Sequence, residues 1–223
     1  PRDYINAWQL FIMMFLLVIG VVTAGLIGGL EIAAPVVNFS PEGAPPLWPF
    51  LFVTVACGAI SGFHALVASG TSPKQVSTEP DARFIGYGSM LLEGALAVLV
   101  LICVAAGIAM AYTTSDGEVL TGTAAWGHHY NSWMAASGLA AKLSAVVVGA
   151  ANMLNSFGLP KAVGVTLMGV FIASFAGTTL DTSVRIQRYV ISELANDLKV
   201  GVLGNRWAAT TFAVVTGAGL AFA

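Results

Sequence analysis

Three observations predict that this 223-residue chain folds as an all-α, polytopic membrane helix bundle. Hydrophobic residues make up 57% of the sequence and charged residues only 9%, whereas soluble domains carry about 25% charge. The mean hydropathy is +0.84. Several apolar runs exceed the roughly 20 residues that a helix needs to cross a bilayer. We therefore expect the lipid bilayer as the main partner, and the net charge of −2 gives no reason to expect nucleic acid.

The apolar runs, taken in order, define five expected spans and one helical hairpin that does not cross the membrane. The first linker, residues 31–46, contains four prolines and cannot form one helix. The next linker, residues 71–83, is polar. The expected spans are residues 4–30, 47–70, 84–112, 161–185 and 206–223, and the expected hairpin is residues 124–157.

The two ends of the sequence suggest a piece of a longer protein. The sequence begins at Pro1 rather than at a methionine, and it stops at Ala223 inside an apolar run. We therefore expect residues 1–223 to be a fragment of one transmembrane domain. The remaining helices of the full-length protein would then be its partners.

The distribution of lysine and arginine predicts the direction of each span, because basic residues favour the cytoplasmic side of short loops. Basic residues occur at the N-terminus, in residues 71–83 and in residues 185–206, whereas residues 31–46 and 113–133 contain none. The first span should therefore run from inside to outside, the second should return, and the third should run outward again.

The stretch 132–157 conflicts with this pattern if it crosses the membrane, because the basic region 185–206 would then lie outside. An outer hairpin over residues 124–157 that dips into the protein restores the pattern. An isolated charge at Lys142 would also cost about 2.5 to 3.5 kcal/mol at mid-membrane. The alternative is that the stretch spans and the basic region breaks the rule.

Three motifs stand at the irregular points of the apolar runs: CGAISGFHAL at residues 57–66, GYGSMLLEG at 86–94 and FAGTTLDT at 175–182. Together with PRDY at the N-terminus and GLAAK at 138–142, they closely resemble the carbon starvation protein A (CstA) family. The resemblance covers nearly the whole chain, in the family's order.

The resemblance implies a multi-pass transporter of the bacterial or archaeal cytoplasmic (inner) membrane. The family is similar to the amino acid–polyamine–organocation superfamily, whose inverted repeats give the LeuT-like fold. On that analogy the chain holds core helices five to nine, with an outer hairpin between helices seven and eight. The expected fold is thus a partial LeuT-like bundle with a broken helix.

The implied function is secondary active import of pyruvate or short peptides by symport with H⁺ or Na⁺. No cofactor is expected apart from Na⁺ as a coupling ion. The alternative is a membrane-embedded nutrient sensor or interaction component without transport. An enzyme is not expected, because the sequence shows no nucleophile–base pair and no metal motif.

A break in the second run is the expected substrate site, formed by Gly58, Ser61, Gly62 and His64. Transporters of this kind bind substrate where a discontinuous helix exposes backbone groups near the midplane. Glycines permit the unwound backbone, and the N–H groups of the second half-helix suit a carboxylate. The alternative is close helix packing through small residues. His64 could carry a proton or pair with a carboxylate, or it could simply bond a backbone carbonyl.

Glu93 is an ionisable residue within an apolar helix. Such residues usually face the protein interior and often serve ion or proton pathways. The alternative is a structural hydrogen bond to a neighbouring helix.

A polar stripe is the expected ion-coupling site. Ser174, Thr178, Asp181 and Arg185 are spaced by about one helical turn and so share one face, with Thr179 beside them. In LeuT-like transporters the corresponding helix supplies hydroxyl ligands for sodium. The alternative is that these hydroxyls bond their own helix backbone.

Two adjacent histidines, His128 and His129, lie in the polar stretch after the third run. No cysteine or carboxylate stands at an established ligand spacing from them, so no metal is expected. Nearby Trp126, Tyr130 and Trp133 are interpreted as anchors at the membrane interface.

Overall fold

The computed structural model describes residues 2–39, 42–59, 62–114, 116–136, 138–199 and 201–221. These residues are predominantly α-helical, and five stretches within them are long and apolar enough to cross a membrane. The prediction of an all-α membrane helix bundle is confirmed. The helices are α1 Arg2–Ile27, α2 Leu47–Ala59, α3 Gly62–Leu66, α4 Glu79–Ile102, α5 Ile108–Met110, α6 Gly122–His129, α7 Leu139–Ser156, α8 Lys161–Asp197 and α9 Arg206–Ala221.

Two π-helical turns interrupt these helices. The turn Val67–Thr71 continues α3, and the turn Cys103–Gly107 joins α4 to α5. Two short antiparallel strands follow α5: β1, Tyr112–Thr113, pairs with β2, Val119–Leu120. This small hairpin of strands was not predicted from the sequence.

Helix boundaries follow the apolar runs closely, with one clear extension. Helix α8 continues to Asp197, well past the expected end of its span at residue 185. Helix α7 meets the length and composition of a spanning helix. Length and composition therefore do not decide whether α7 crosses the membrane, and the expected hairpin over residues 124–157, which contains α6 and α7, stays a prediction.

The chain divides into two compact units, and unit 1 comprises residues 1–54 and 83–173. Its core lies around α7, which packs against α1 and against the π-helical turn 103–107. Residues 149–154 of α7 are all buried. A Cβ atom at Gly107 would lie 2.6 Å from the carbonyl oxygen of Gly149, so two backbones are in contact here. Only glycine permits this approach.

Side-chain hydrogen bonds satisfy backbone carbonyls at the C-terminal end of the helical segment formed by α4, the π-helical turn and α5. The side-chain amide of Asn152 donates to the carbonyl oxygens of Gly107 and Ala111, at 2.9 and 2.8 Å. The ammonium group of Lys161 also donates to Ala111, at 3.2 Å. These bonds satisfy carbonyls that a helix end leaves without intrahelical partners.

Unit 2 comprises residues 55–82 and 174–223. The second half of α8 is joined to α9 by a hydrogen bond of 3.4 Å from the amide of Gln187 to the hydroxyl of Thr216. Ala209 and Ala213 of α9 are buried. The ammonium nitrogen of Lys74 lies 5.5 Å from the ring centroid of Tyr189, within cation–π range.

Candidate functional site

The expected substrate site lies partly outside the described residues. Helix α2 is described as far as Ala59 and α3 from Gly62 onward, and Ser61 is not among the described residues. A Cβ atom at Gly58 would meet nothing within 4 Å among the described residues. His64 is exposed on α3. The assignment of these four residues to a substrate site stays a prediction.

A π-helical turn directly follows α3. π-helical segments are frequent at functional sites, because they leave some backbone groups without regular partners. The hydroxyl of Ser69 within this turn donates to the carbonyl of Leu66 at 3.3 Å. The irregular backbone that the structure describes here thus lies on the C-terminal side of the glycines, at Val67–Thr71.

The polar stripe on α8 forms the hydrogen bonds that the structural alternative requires. The hydroxyls of Thr178 and Thr179 donate to the carbonyl oxygens of Ser174 and Phe175, at 3.0 and 3.1 Å. Thr182 repeats the pattern with Thr178 at 3.0 Å. The ion-coupling role of the stripe stays a prediction.

Asp181 and Arg185 confirm that the stripe occupies one face of α8. A guanidinium nitrogen of Arg185 lies 3.0 Å from a carboxylate oxygen of Asp181, one helical turn away. The side chain of Arg185 is 36% exposed and that of Asp181 is 40% exposed. This ion pair gives Asp181 a neutralising partner within its own helix.

Glu93 belongs to unit 1, whereas the stripe belongs to unit 2. Its side chain is exposed on α4, in the second half of the GYGSMLLEG motif. A Cβ atom at neighbouring Gly94 would meet nothing within 4 Å among the described residues. The role of Glu93 stays a prediction.

The two histidines of the expected outer region differ sharply. His129 is buried, with its Nε2 atom 3.2 Å from the carbonyl oxygen of Ala141 and its Nδ1 atom 3.5 Å from the hydroxyl of Tyr112. Because a carbonyl can only accept, Nε2 carries the hydrogen in the neutral ring. His128 is exposed.

Burial lowers the pKa of His129 below its usual range. The bond to the Ala141 carbonyl acts in the opposite direction, and the neighbouring charge of His128 adds to the lowering. Burial raises the pKa of Tyr130. Within the described ranges, no three histidine, cysteine or acidic residues come together as a metal site would require. His129 therefore acts as a neutral structural link.

A cavity of about 410 Å³ lies between the linker 31–46 and the segment 126–142 of unit 1. Three aromatic side chains, Trp126, Tyr130 and Trp133, line it together with Asn38, Glu42 and Lys142. We call it the aromatic cavity. These aromatic residues were predicted from the sequence to be interface anchors, and the cavity was not predicted. The recurrence of these aromatic residues at helical spacing within a polar stretch was the sequence feature that could have indicated a shared binding surface.

Ring contacts fix the walls of the aromatic cavity. The rings of Trp126 and Tyr130 lie 4.4 Å apart, and the ring of Trp133 meets that of Phe50 edge to face at 5.2 Å. The backbone N–H of Trp133 donates to the carbonyl of Glu42 at 2.9 Å. The linker is therefore bound directly to the aromatic segment.

A model of the family described as Carbon starvation protein CstA matches residues 1–223. The chain belongs to the CstA family. The family resemblance in the sequence motifs is thereby confirmed.

Several curated relatives support this membership. The chain is 44% identical to the pyruvate/proton symporter BtsT of Escherichia coli K12, over 46% of the chain and 14% of that protein. It is 44% identical to the peptide transporter CstA of Helicobacter pylori J99, over 46% of the chain and 15% of the relative. It is 35% identical to the peptide transporter CstA of Mycobacterium tuberculosis H37Rv, over 86% of the chain and 29% of the relative.

The chain thus spans between 14% and 29% of the length of these relatives. No solved structure matches it significantly. The relatives carry the names of transporters and not of enzymes. Together with the long apolar helices, family membership makes the chain part of a multi-pass membrane protein.

Proposed function

We propose that the full-length protein is a secondary active transporter that imports pyruvate or short peptides by symport with H⁺ or Na⁺. Family membership over the whole chain is the observation that carries the proposal. Relatives are named as a pyruvate/proton symporter and as peptide transporters, so both substrate classes are represented among them. The proposed location is the cytoplasmic membrane of a bacterial or archaeal cell.

The proposed mechanism assigns separate tasks to the predicted sites. The break around Gly58, Ser61, Gly62 and His64 would hold the substrate carboxylate on backbone N–H groups. The hydroxyl oxygens of Thr178 and Thr179 would help to ligate a coupling cation if that cation is Na⁺. Glu93 would serve a proton pathway if it is H⁺. The hydroxyl and carboxylate oxygens along one face of α8 support the first assignment.

We also propose that α6 and α7 form an outer hairpin that returns to the side from which it entered. The ammonium group of Lys161, at the start of α8, donates to the carbonyl of Ala111, just after α5. The start of α8 is therefore within one lysine side chain of the outward end of the third span. A crossing α7 would place these two ends on opposite sides of a hydrocarbon core about 30 Å thick.

A cysteine at Lys161 in a cysteine-free full-length protein tests the hairpin. We expect labelling by a membrane-impermeant maleimide added to intact cells, with a cysteine at Lys199 as the control that only permeabilised cells should expose. Labelling of position 161 exclusively after permeabilisation would show that α7 crosses.

Uptake of labelled pyruvate and labelled alanyl-alanine into proteoliposomes tests transport itself. We expect the wild-type full-length protein to accumulate at least one of them when a proton or sodium gradient is imposed. Gly62→Leu should abolish accumulation with insertion intact, because the added side chain would occupy the unwound segment. Wild-type accumulation by this variant would refute the substrate site. Failure of the wild type to move either substrate, with intact folding, would favour the sensor alternative.

A further inference from the structure

We propose that the aromatic cavity is a second binding site, which captures short zwitterionic peptides on the outer side of the membrane. The inference rests on the proposed function. The proposed outer hairpin supplies one wall of the cavity, and the linker 31–46, which follows a span predicted to run outward, supplies the other. The cavity lies apart in sequence from the predicted substrate site at residues 58–64, and the two can be tested separately.

The size and lining of the aromatic cavity fit an organic ligand of peptide dimensions. Its volume of about 410 Å³ falls within the range of about 300–1,000 Å³ that is typical of small-molecule sites. Such sites are mainly apolar or aromatic, with a few polar groups that fix the ligand's orientation. Trp126, Tyr130 and Trp133 supply apolar faces for peptide side chains.

The charges of the aromatic cavity match the two ends of a peptide. Glu42 on the linker offers a carboxylate for the terminal ammonium group, and Lys142 on α7 offers an ammonium group for the terminal carboxylate. Among the described residues, neither side chain is engaged in an ion pair. The aromatic faces add favourable sites for the ligand's ammonium group.

The walls of the aromatic cavity are held in place before any ligand arrives. The N–H groups of Ala33 and Ala34 donate to the carbonyl of Ala105, at 3.1 and 3.3 Å, which binds the start of the linker to the π-helical turn. The N–H of Trp133 binds the other end of the linker at Glu42. A preorganised site loses less entropy on binding.

Pyruvate fits this site poorly in chemical terms. It carries no cationic group for Glu42, and it is too small to contact all three aromatic walls. The aromatic cavity therefore selects peptides over pyruvate, whichever of them the central site transports.

Calorimetric titration of the purified full-length protein with three ligands tests the proposal. The ligands are alanyl-alanine, its N-acetyl derivative without the cation, and its amide without the anion. Glu42→Gln should weaken binding of alanyl-alanine about fivefold, the loss of one exposed charge pair, and leave the N-acetyl derivative unchanged. Lys142→Gln should weaken alanyl-alanine similarly and leave the amide unchanged.

Matched controls separate this result from other causes. Glu31→Gln removes an acidic residue of the same linker outside the cavity lining and should change nothing, while Lys142→Arg should retain wild-type binding. Titrations in the Gly62→Leu background remove the contribution of the predicted central site. If that variant does not fold, the same ligand-specific pattern in the wild-type background serves instead.

Equal weakening of all three ligands, or no change for any, would overturn the peptide-capture site. Because the titration needs no ion gradient, its result is independent of the uptake assay. Charge-specific binding without uptake would contradict the proposed transport alone.

Discussion

Two glycines of unit 1 and two glycines of unit 2 have opposite surroundings. In unit 1, Gly20 and Gly149 lie against neighbouring backbones, and a Cβ atom at Gly20 would come within 3.2 Å of Met153. In unit 2, Cβ atoms at Gly58 and Gly177 would meet nothing within 4 Å among the described residues. Gly20 and Gly149 therefore mark close helix contacts, whereas Gly58 and Gly177 lie on open stretches of helix.

Polar side chains also differ between the core of unit 1 and the stripe of unit 2. In unit 1 the buried Asn152 and His129 bond carbonyls of other segments, so they join parts of the fold. In the bonds described above, the hydroxyls of Thr178 and Thr179 in unit 2 reach one turn back along α8. The buried polar residues of unit 1 therefore connect separate segments, whereas the bonds described for the stripe stay within one helix.

The largest expected effect comes from adding one methyl group to each kind of glycine. Gly149→Ala should destabilise the full-length protein by about 3 kcal/mol, because its Cβ atom would collide with the backbone of Cys103. Gly177→Ala should be neutral or slightly stabilising, because alanine favours the helix and the space is open. Thermal unfolding in detergent measures both changes. Equal destabilisation of the two variants would contradict the difference between the two glycines.

The second effect concerns the side-chain amide of Asn152, which bonds backbone carbonyls at the C-terminal end of the α4–α5 segment. Asn152→Leu should cost about 1–3 kcal/mol, because the buried carbonyl of Gly107 would lose its side-chain donor. Asn155→Leu is the control, since that amide bonds Leu159 in an exposed position. A cost at Asn155 as large as that at Asn152 would show that burial of the bond does not matter.

The third effect is a pH dependence in unit 1. Because the pKa of His129 is lowered in the fold, the unfolded chain binds protons more readily near pH 6. Its contribution to stability should be complete above the unfolded pKa of about 6.5 and decrease as pH falls towards the lowered folded value. The melting temperature should therefore decrease as the pH is lowered from about 7.5 to about 5.5.

His129→Gln should reduce this slope, whereas His128→Gln on the exposed neighbour should leave it almost unchanged. The melting temperature of each variant across the same pH range is the measurement. An unaltered slope in His129→Gln would assign the pH dependence to other groups.

The smallest effect on stability is expected in the stripe of unit 2. The double change Thr178→Ala and Thr179→Ala should alter the unfolding free energy by less than about 0.5 kcal/mol, because the hydrogen bonds described for these hydroxyls run one turn back along their own helix. It should nevertheless weaken any sodium dependence of uptake. Transport that is indifferent to sodium in the wild type would remove the ion-ligand role.

The helices could be predicted from the sequence because length and apolar character determine them locally. The runs that became α1, α4 and α8 have few charges and exceed the thickness of a bilayer.

The contacts between segments could not be predicted in the same way. Nothing in the local pattern distinguishes the buried His129 from the exposed His128, because burial depends on Tyr112 and Ala141 far along the chain. The aromatic cavity likewise depends on the linker 31–46 meeting the segment 126–142. Sequence periodicity contains no information on that meeting.

Counterflow tests the central claim of transport most directly. Proteoliposomes with the full-length protein are loaded with unlabelled alanyl-alanine or pyruvate, with equal H⁺ and Na⁺ on both sides, and are then diluted into a trace of labelled substrate. A transporter should concentrate the label transiently inside, and Gly62→Leu should not. Absence of any transient from the folded wild-type protein with both substrates would contradict the account.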